Sequence, residues 1–199
     1  GSTVAVSGDV ALVAGEEQSA RGNTRPIVQV FRRQANGIWD IAGTIRSEDR
    51  STGTGFGEVM TLSGNLAAIA APGSASGAGV VFVYRYSKEN GEWSMESQIN
   101  SPAPRDGNRF GASMEFRDGV LAIGSPGHSY GTGAVFIYKM NAAGSNWSLQ
   151  GQLSPYSARR NTAFGTAIAI DGDRLWVGAP GDGGPFGTGA VYEIGRAHV

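Results

Sequence analysis

Few side chains in this 199-residue chain have the chemistry for catalysis. Two histidines, His128 and His198, and no cysteine exclude a thiolate zinc site, a disulfide framework and a cysteine nucleophile. His128 adjoins Ser129, the residue types of a base and its nucleophile. Adjacent side chains seldom face each other, and no third group is placed to orient the imidazole, so no catalytic residue is expected. Asp171 and Asp173 are too few to supply the six to eight oxygens that calcium takes; no metal and no cofactor are expected. What remains is cationic and aromatic: Arg105, Arg109, Arg159 and Arg160, with Tyr130 and Phe186, all in loop segments. Guanidinium forks grip carboxylates and sulfates, and exposed aromatic rings stack on sugars or anchor proteins. These six residues are the candidate ligand-binding set, and the expected partner is a protein or glycan carrying an acidic group.

The rest of the composition narrows the class. Lys plus Arg is 16 against 17 Asp plus Glu, a net charge of −1. That balance builds no positive field for nucleic acid or for an anionic membrane. No apolar run approaches the roughly 18 residues of a membrane-spanning helix, so no membrane insertion is expected in this segment. Glycine supplies 32 residues and proline 8, without a three-residue period. With 40% hydrophobic residues the chain has enough for a core, and its glycines read as tight turns between short strands. The glycine-rich runs Gly53–Gly57 and Gly187–Gly189 precede strands, whereas a phosphate cradle precedes a helix.

Those loops are positioned by a repeat. Phe56-Gly57, Phe110-Gly111 and Phe164-Gly165 are spaced 54 residues apart, as are Trp39, Trp93 and Trp147, and Pro72, Pro126 and Pro180. Three independent landmarks in one phase define copies at 1–55, 56–109, 110–163 and 164–192. The copy from 110 shows the pattern: a strand from Ala112 to Phe116, an Asp118-Gly119 turn and an apolar strand from Val120 to Gly124. A third strand follows from Ala134 to Met140 and a fourth from Trp147 to Leu153. The first copy carries a longer loop, Glu17 to Pro26. No segment has the 3.6-residue apolar period of a capped helix. The fold is all-β. Four antiparallel strands cannot bury both their faces alone, and stacking such sheets around an axis gives a β-propeller, here about three and a half blades. The repeated Phe is expected to plug the gap between sheets, and its Gly to allow close backbone approach. The Pro should end the second strand, and the Trp should pack across the outer one.

Phe-Gly, a strand pair ending in Gly-Ala-Pro-Gly and an aromatic third strand resemble the FG-GAP repeat. Val177-Gly178-Ala179-Pro180-Gly181 matches in full; Ile123-Gly124-Ser125-Pro126-Gly127 and Ala70-Ala71-Pro72-Gly73 match nearly. The resemblance implies a seven-bladed propeller of the kind in integrin α heads. It implies a non-catalytic, extracellular or cell-surface module for ligand binding or adhesion, with the loops after second and fourth strands as partner face. Many repeats of this family hold calcium in an Asp-rich loop between the first two strands. Here Gly64-Asn65, Asp118-Gly119 and Gly172-Asp173 stand there as simple hairpin turns, so calcium is not carried over. A scaffolding propeller of the kelch type, or the accessory propeller of an enzyme whose catalytic domain lies elsewhere, are the alternatives.

The chain is expected to continue in both directions with further 54-residue copies that complete the ring. Residues 193–199 are read as a non-native tail, because Ile194–Val199 resembles the translation of a sequencing adapter.

Overall fold

The computed structural model describes residues 2–18, 22–47, 55–144, 146–156, 159–183 and 188–195. Among the described residues, fifteen strands form four antiparallel sheets in strict chain order. The first holds β1 (Val4–Ser7), β2 (Val10–Gln18), β3 (Thr24–Arg33) and β4 (Trp39–Arg46). The second holds β5 (Val59–Ser63), β6 (Leu66–Ala71), β7 (Val80–Tyr86) and β8 (Trp93–Asn100). The third holds β9 (Ser113–Arg117), β10 (Val120–Ser125), β11 (Ala134–Met140) and β12 (Trp147–Leu153). The fourth has β13 (Ala167–Asp171), β14 (Arg174–Ala179) and β15 (Ala190–Ile194). Each sheet is one propeller blade, and the first strands of successive blades pack side by side. Strand β15 runs through Glu193 and Ile194, which pair with Trp176 and Leu175, two residues into the segment 193–199.

Two-residue turns join the first two strands of every blade, as the registers Ser7↔Val10, Ser63↔Leu66, Arg117↔Val120 and Asp171↔Arg174 require. Asp118 and Gly119 both take positive φ (49° and 77°), the backbone of a type I′ hairpin whose twist matches the strands. Pro72, Pro126 and Pro180 each follow the last residue of a second strand, where a missing N–H ends the ladder.

Burial on both faces of the middle strands joins the blades. All six residues of β6 are buried. Strand alternation sends Ala67, Ile69 and Ala71 into a cluster with Leu12, Val28 and Val30, and Leu66, Ala68 and Ala70 into a second with Phe110, Leu121 and Phe136. A third cluster joins Ala122, Val135 and Ile137 to Phe164, Leu175 and Val177. Phe110 and Phe164 are fully buried and Phe56 nearly so. Each meets its own blade's third-strand aromatic ring edge-on: Phe56 to Phe82 at 5.8 Å, Phe110 to Phe136 at 5.5 Å and Phe164 to Tyr192 at 5.2 Å. After Phe110, a Cβ on Gly111 would lie 2.8 Å from the Ala70 Cβ of the preceding blade, at φ +91°, so the close approach needs glycine. Trp147 is buried and crosses the face of its blade from outer β12 to reach Phe116 on inner β9, with ring centroids 5.4 Å apart.

One expectation needs correction. Residues 17–26 of the first copy are not simply a loop: Glu17↔Arg25 and Gln18↔Thr24 extend the β2–β3 ladder. Glu17 also holds Arg25 and Arg46 in ion pairs, which ties the extended hairpin to β4. Short helical turns also occur, α1 (Ser74–Gly77) and α2 (His128–Gly131), each four residues with two positive-φ residues inside. They are tight loops between second and third strands, too short to show a helical period.

Candidate ligand-binding face

The α1 and α2 turns are fastened to the chain that enters the next blade. The Ser76, Gly77 and Ala78 carbonyls accept from the N–H groups of Gly107, Arg109 and Phe110, and those of Gly131 and Thr132 accept from Ala163 and Phe164. Glycine makes the contact possible: a Cβ on Gly133 would fall 2.1 Å from the Phe164 carbonyl oxygen, at φ +84°. The second-to-third-strand loop and the inter-blade loop therefore form one continuous surface, as the blade topology predicts.

On that surface Tyr130 collects two of the candidate arginines. It sits in α2 with φ 61° and is 67% exposed. The Arg160 guanidinium carbon lies 5.0 Å from its ring centroid and that of Arg105 5.8 Å, both within cation–π range. Arg105 Nη1 also donates to the Tyr130 hydroxyl at 3.5 Å. The 54-residue spacing matches Arg105 with Arg159, but the ring is flanked by Arg105 and Arg160, one from the loop before each of two successive blades. A ring of equivalent arginines is thus replaced by a pair around one aromatic.

The other candidates lie apart from this pair. Arg109, at φ 53°, turns back to the second blade, where its Nη2 meets Glu58 Oε1 at 3.1 Å; sequence reasoning missed Glu58, whose counterparts in the repeat are uncharged. Arg159 is exposed and its backbone carbonyl accepts the Thr162 hydroxyl at 2.6 Å. Phe186 lies outside the described residues.

Beneath the pair is His128, buried at the start of α2. Its ring stands edge-on to Phe136 at 5.5 Å, and its Nε2 lies 3.3 Å from Gln152 Nε2. Burial, and secondarily the Arg105 charge, hold its pKa below the ordinary value, so the neutral imidazole is favoured. No carboxylate is within bonding distance of His128 among the described residues. The buried imidazole thus adds no charge beneath two guanidinium groups, and the face remains cationic and aromatic.

Comparison with known proteins agrees with this architecture. Residues 147–194 match the model of the FG-GAP repeat. This segment of the chain is similar to one FG-GAP repeat. The match starts at Trp147 on β12 and runs through the whole of the fourth blade's sheet, so it takes one blade's outer strand with the next blade's inner three. Among solved structures, Saccharomyces cerevisiae Sqt1, a propeller-type protein, superposes with a TM-score of 0.53 at 14% identity. The superposition covers 88% of this chain and 41% of that one; the chain spans less than half the length of this neighbour. At that identity the likeness concerns the fold alone. No curated protein sequence matches.

Proposed function

We propose that these FG-GAP blades are a non-catalytic extracellular binding module that recognises an acidic group on a protein or glycan. The observation that carries the reading is Tyr130, an exposed aromatic held at positive φ between the guanidinium groups of Arg105 and Arg160. A bulky residue in the left-handed region is uncommon and costs free energy, and such outliers cluster at ligand sites. The ring supplies an apolar platform, and the two arginines supply charge-assisted donors at its margin.

The test is calorimetric titration with a sulfated oligosaccharide, its desulfated counterpart and an acidic peptide. Binding of a sulfated or carboxylated probe, lost in Tyr130→Ala and reduced about tenfold or more in Arg105→Ala or Arg160→Ala, supports the reading. Failure of every anionic probe, or binding indifferent to these substitutions, overturns it.

A further inference from the structure

A cavity of about 390 Å³ lies at the seam between the first and second blades, lined by Val10 and Arg32 of the first and by Asn65, Tyr86, Lys88 and Trp93 of the second. Its volume is within the range of small-molecule sites. Asn65 is in the β5–β6 turn and Lys88 in the β7–β8 loop, so the cavity opens at the end of the strands opposite α1 and α2. Both blades have all four strands.

The next seam is built from equivalent residues and is filled. The registers match Val10 with Leu66, Arg32 with Arg85, Leu62 with Phe116, Tyr86 with Met140 and Trp93 with Trp147. Leu66, Phe116 and Trp147 are buried together, whereas Val10, Leu62 and Trp93 are only partly buried. A leucine stands where Phe116 packs edge-on to Trp147, and a valine stands where Leu66 does, so the first seam has less side-chain volume. Its charge differs as well. Arg85 is ion-paired with Glu96 and donates to the Gly144 carbonyl. Glu96 is the bulge residue of β8, and Ala42 holds that place in β4. Arg32 therefore lacks the carboxylate. Asp40, opposite it across the ladder, makes no ion pair with it, and neither Arg32 nor Lys88 has an ion pair among the described residues.

The Arg32 guanidinium carbon lies 4.6 Å from the Tyr86 ring centroid, and Tyr86 meets Trp93 at 5.6 Å with the rings tilted by 48°. Stacking occupies the flat face of a guanidinium and leaves its in-plane N–H fork, which takes a carboxylate in bidentate fashion. The uncharged polar side-chain groups of the lining are the Asn65 amide, the Tyr86 hydroxyl and the Trp93 indole N–H. The Asn65 Nδ2 already donates to the Tyr86 carbonyl at 3.5 Å. A ligand covered in hydroxyls would lose its water here with too few partners in return, whereas a flat apolar ring loses little.

We propose that this cavity binds a small aromatic carboxylate, with its ring against Tyr86 and Trp93, its carboxylate on the Arg32 fork and Lys88 at the mouth. The site is on a different surface from the Tyr130 face and does not depend on that reading.

The experiment follows 4-fluorobenzoate by fluorine NMR as it is titrated with the full 199-residue chain. The uncharged match is 4-fluorobenzyl alcohol, and glucuronate is the competitor that carries a carboxylate on a sugar. Saturable binding of the benzoate is expected, with the alcohol weaker by about tenfold or more and no displacement by equimolar glucuronate. Amide shift changes should centre on Arg32, Asn65 and Lys88 and spare α2. Leu62→Phe, which supplies the ring that Phe116 provides in the next seam, should weaken binding by filling the cavity. Ala42→Glu, which restores the carboxylate of Glu96, should weaken it by occupying Arg32 and leaves the cavity walls unchanged. The two variants act through different features, so either one decides if the other fails to fold. No saturation at millimolar benzoate, equal binding of the alcohol, displacement by equimolar glucuronate, shifts at α2, or undiminished binding in a folded variant would each overturn the proposal.

Discussion

Tyr130 has a backbone conformation that suits glycine and a side chain that faces solvent. Non-glycine residues at left-handed φ carry a penalty of about 1–2 kcal/mol, and little burial offsets it here. Tyr130→Gly should therefore leave the unfolding free energy unchanged within about 1 kcal/mol, because the relieved strain offsets the added chain entropy, while binding to an acidic probe disappears. Chemical denaturation of the two proteins checks this; a large loss of stability would show that the ring has a packing role instead. Gly133 is the opposite case. With the Phe164 carbonyl 2.1 Å from any Cβ, Gly133→Ala should cost about 3 kcal/mol or more, read as a lower denaturation midpoint. His128 makes the pH dependence specific. Its folded-state pKa lies below the ordinary 6.5, so below about pH 6.5 the unfolded chain takes up the proton more readily than the folded one. Its contribution to stability is complete above that pH and is lost as the pH falls further. His128→Ser, which places the second blade's residue Ser74 there, should lose less stability than the wild type between pH 7.5 and 5.5 in urea titrations.

At the level of the element, the blade is a four-stranded meander closed by large side chains at fixed places. Phe110 plugs the seam between second and third blades and Trp147 caps the same seam further out. Their removal leaves cavities that a β-sheet's ladder prevents from collapsing. Phe110→Ala and Trp147→Ala are each expected to cost about 3–5 kcal/mol, whereas Trp39→Ala should cost less, since Trp39 is 38% exposed. Thermal denaturation of the three variants ranks them. The third and fourth strands carry a recurring irregularity, with register shifts at Val30/Phe31, Val83/Tyr84 and Ile137/Tyr138. A bulge at one place in each of the first three blades bends the outer strand and increases its twist. It leaves no mark in the 54-residue landmarks, because any residue that tolerates the backbone can occupy it: Ala42, Glu96 and Gln150 are the extra residues in the three blades.

Across the whole molecule, each blade contacts its neighbours through one seam, so stability is close to a sum of blades and interfaces. The second and third blades have a buried cluster on each face, and the first and fourth only on one among the described residues. Val4 and Val6 on the first blade and Val191 on the fourth remain largely exposed. Hydrogen exchange should accordingly be slowest at β6, β7, β10 and β11 and fastest at β1 and β15. Uniform protection across all four sheets would mean that the chain unfolds as one unit.

The sequence alone determined the strand order, the turns and the blade, since these follow from local chemistry: alternating apolar residues, Asp-Gly and Gly-Asn hairpins, and a proline that ends the second strand of the second, third and fourth blades. It determined the interlocking Phe-Gly as well, because a repeat in phase exposes what every blade needs. The extended β2–β3 hairpin was hidden, because Glu17, Gln18, Thr24 and Arg25 are polar and their pairing is decided by Arg46 on the next strand. The candidate site was half legible. Arg105, Arg160 and Tyr130 could be named from loop position, but only the tertiary structure chose Arg160 over Arg159 and turned Arg109 toward Glu58. Spacing reports which residues are equivalent in successive blades, whereas a binding face is made where non-equivalent loops of neighbouring blades meet, and that meeting is fixed by the angle between sheets packed through their cores.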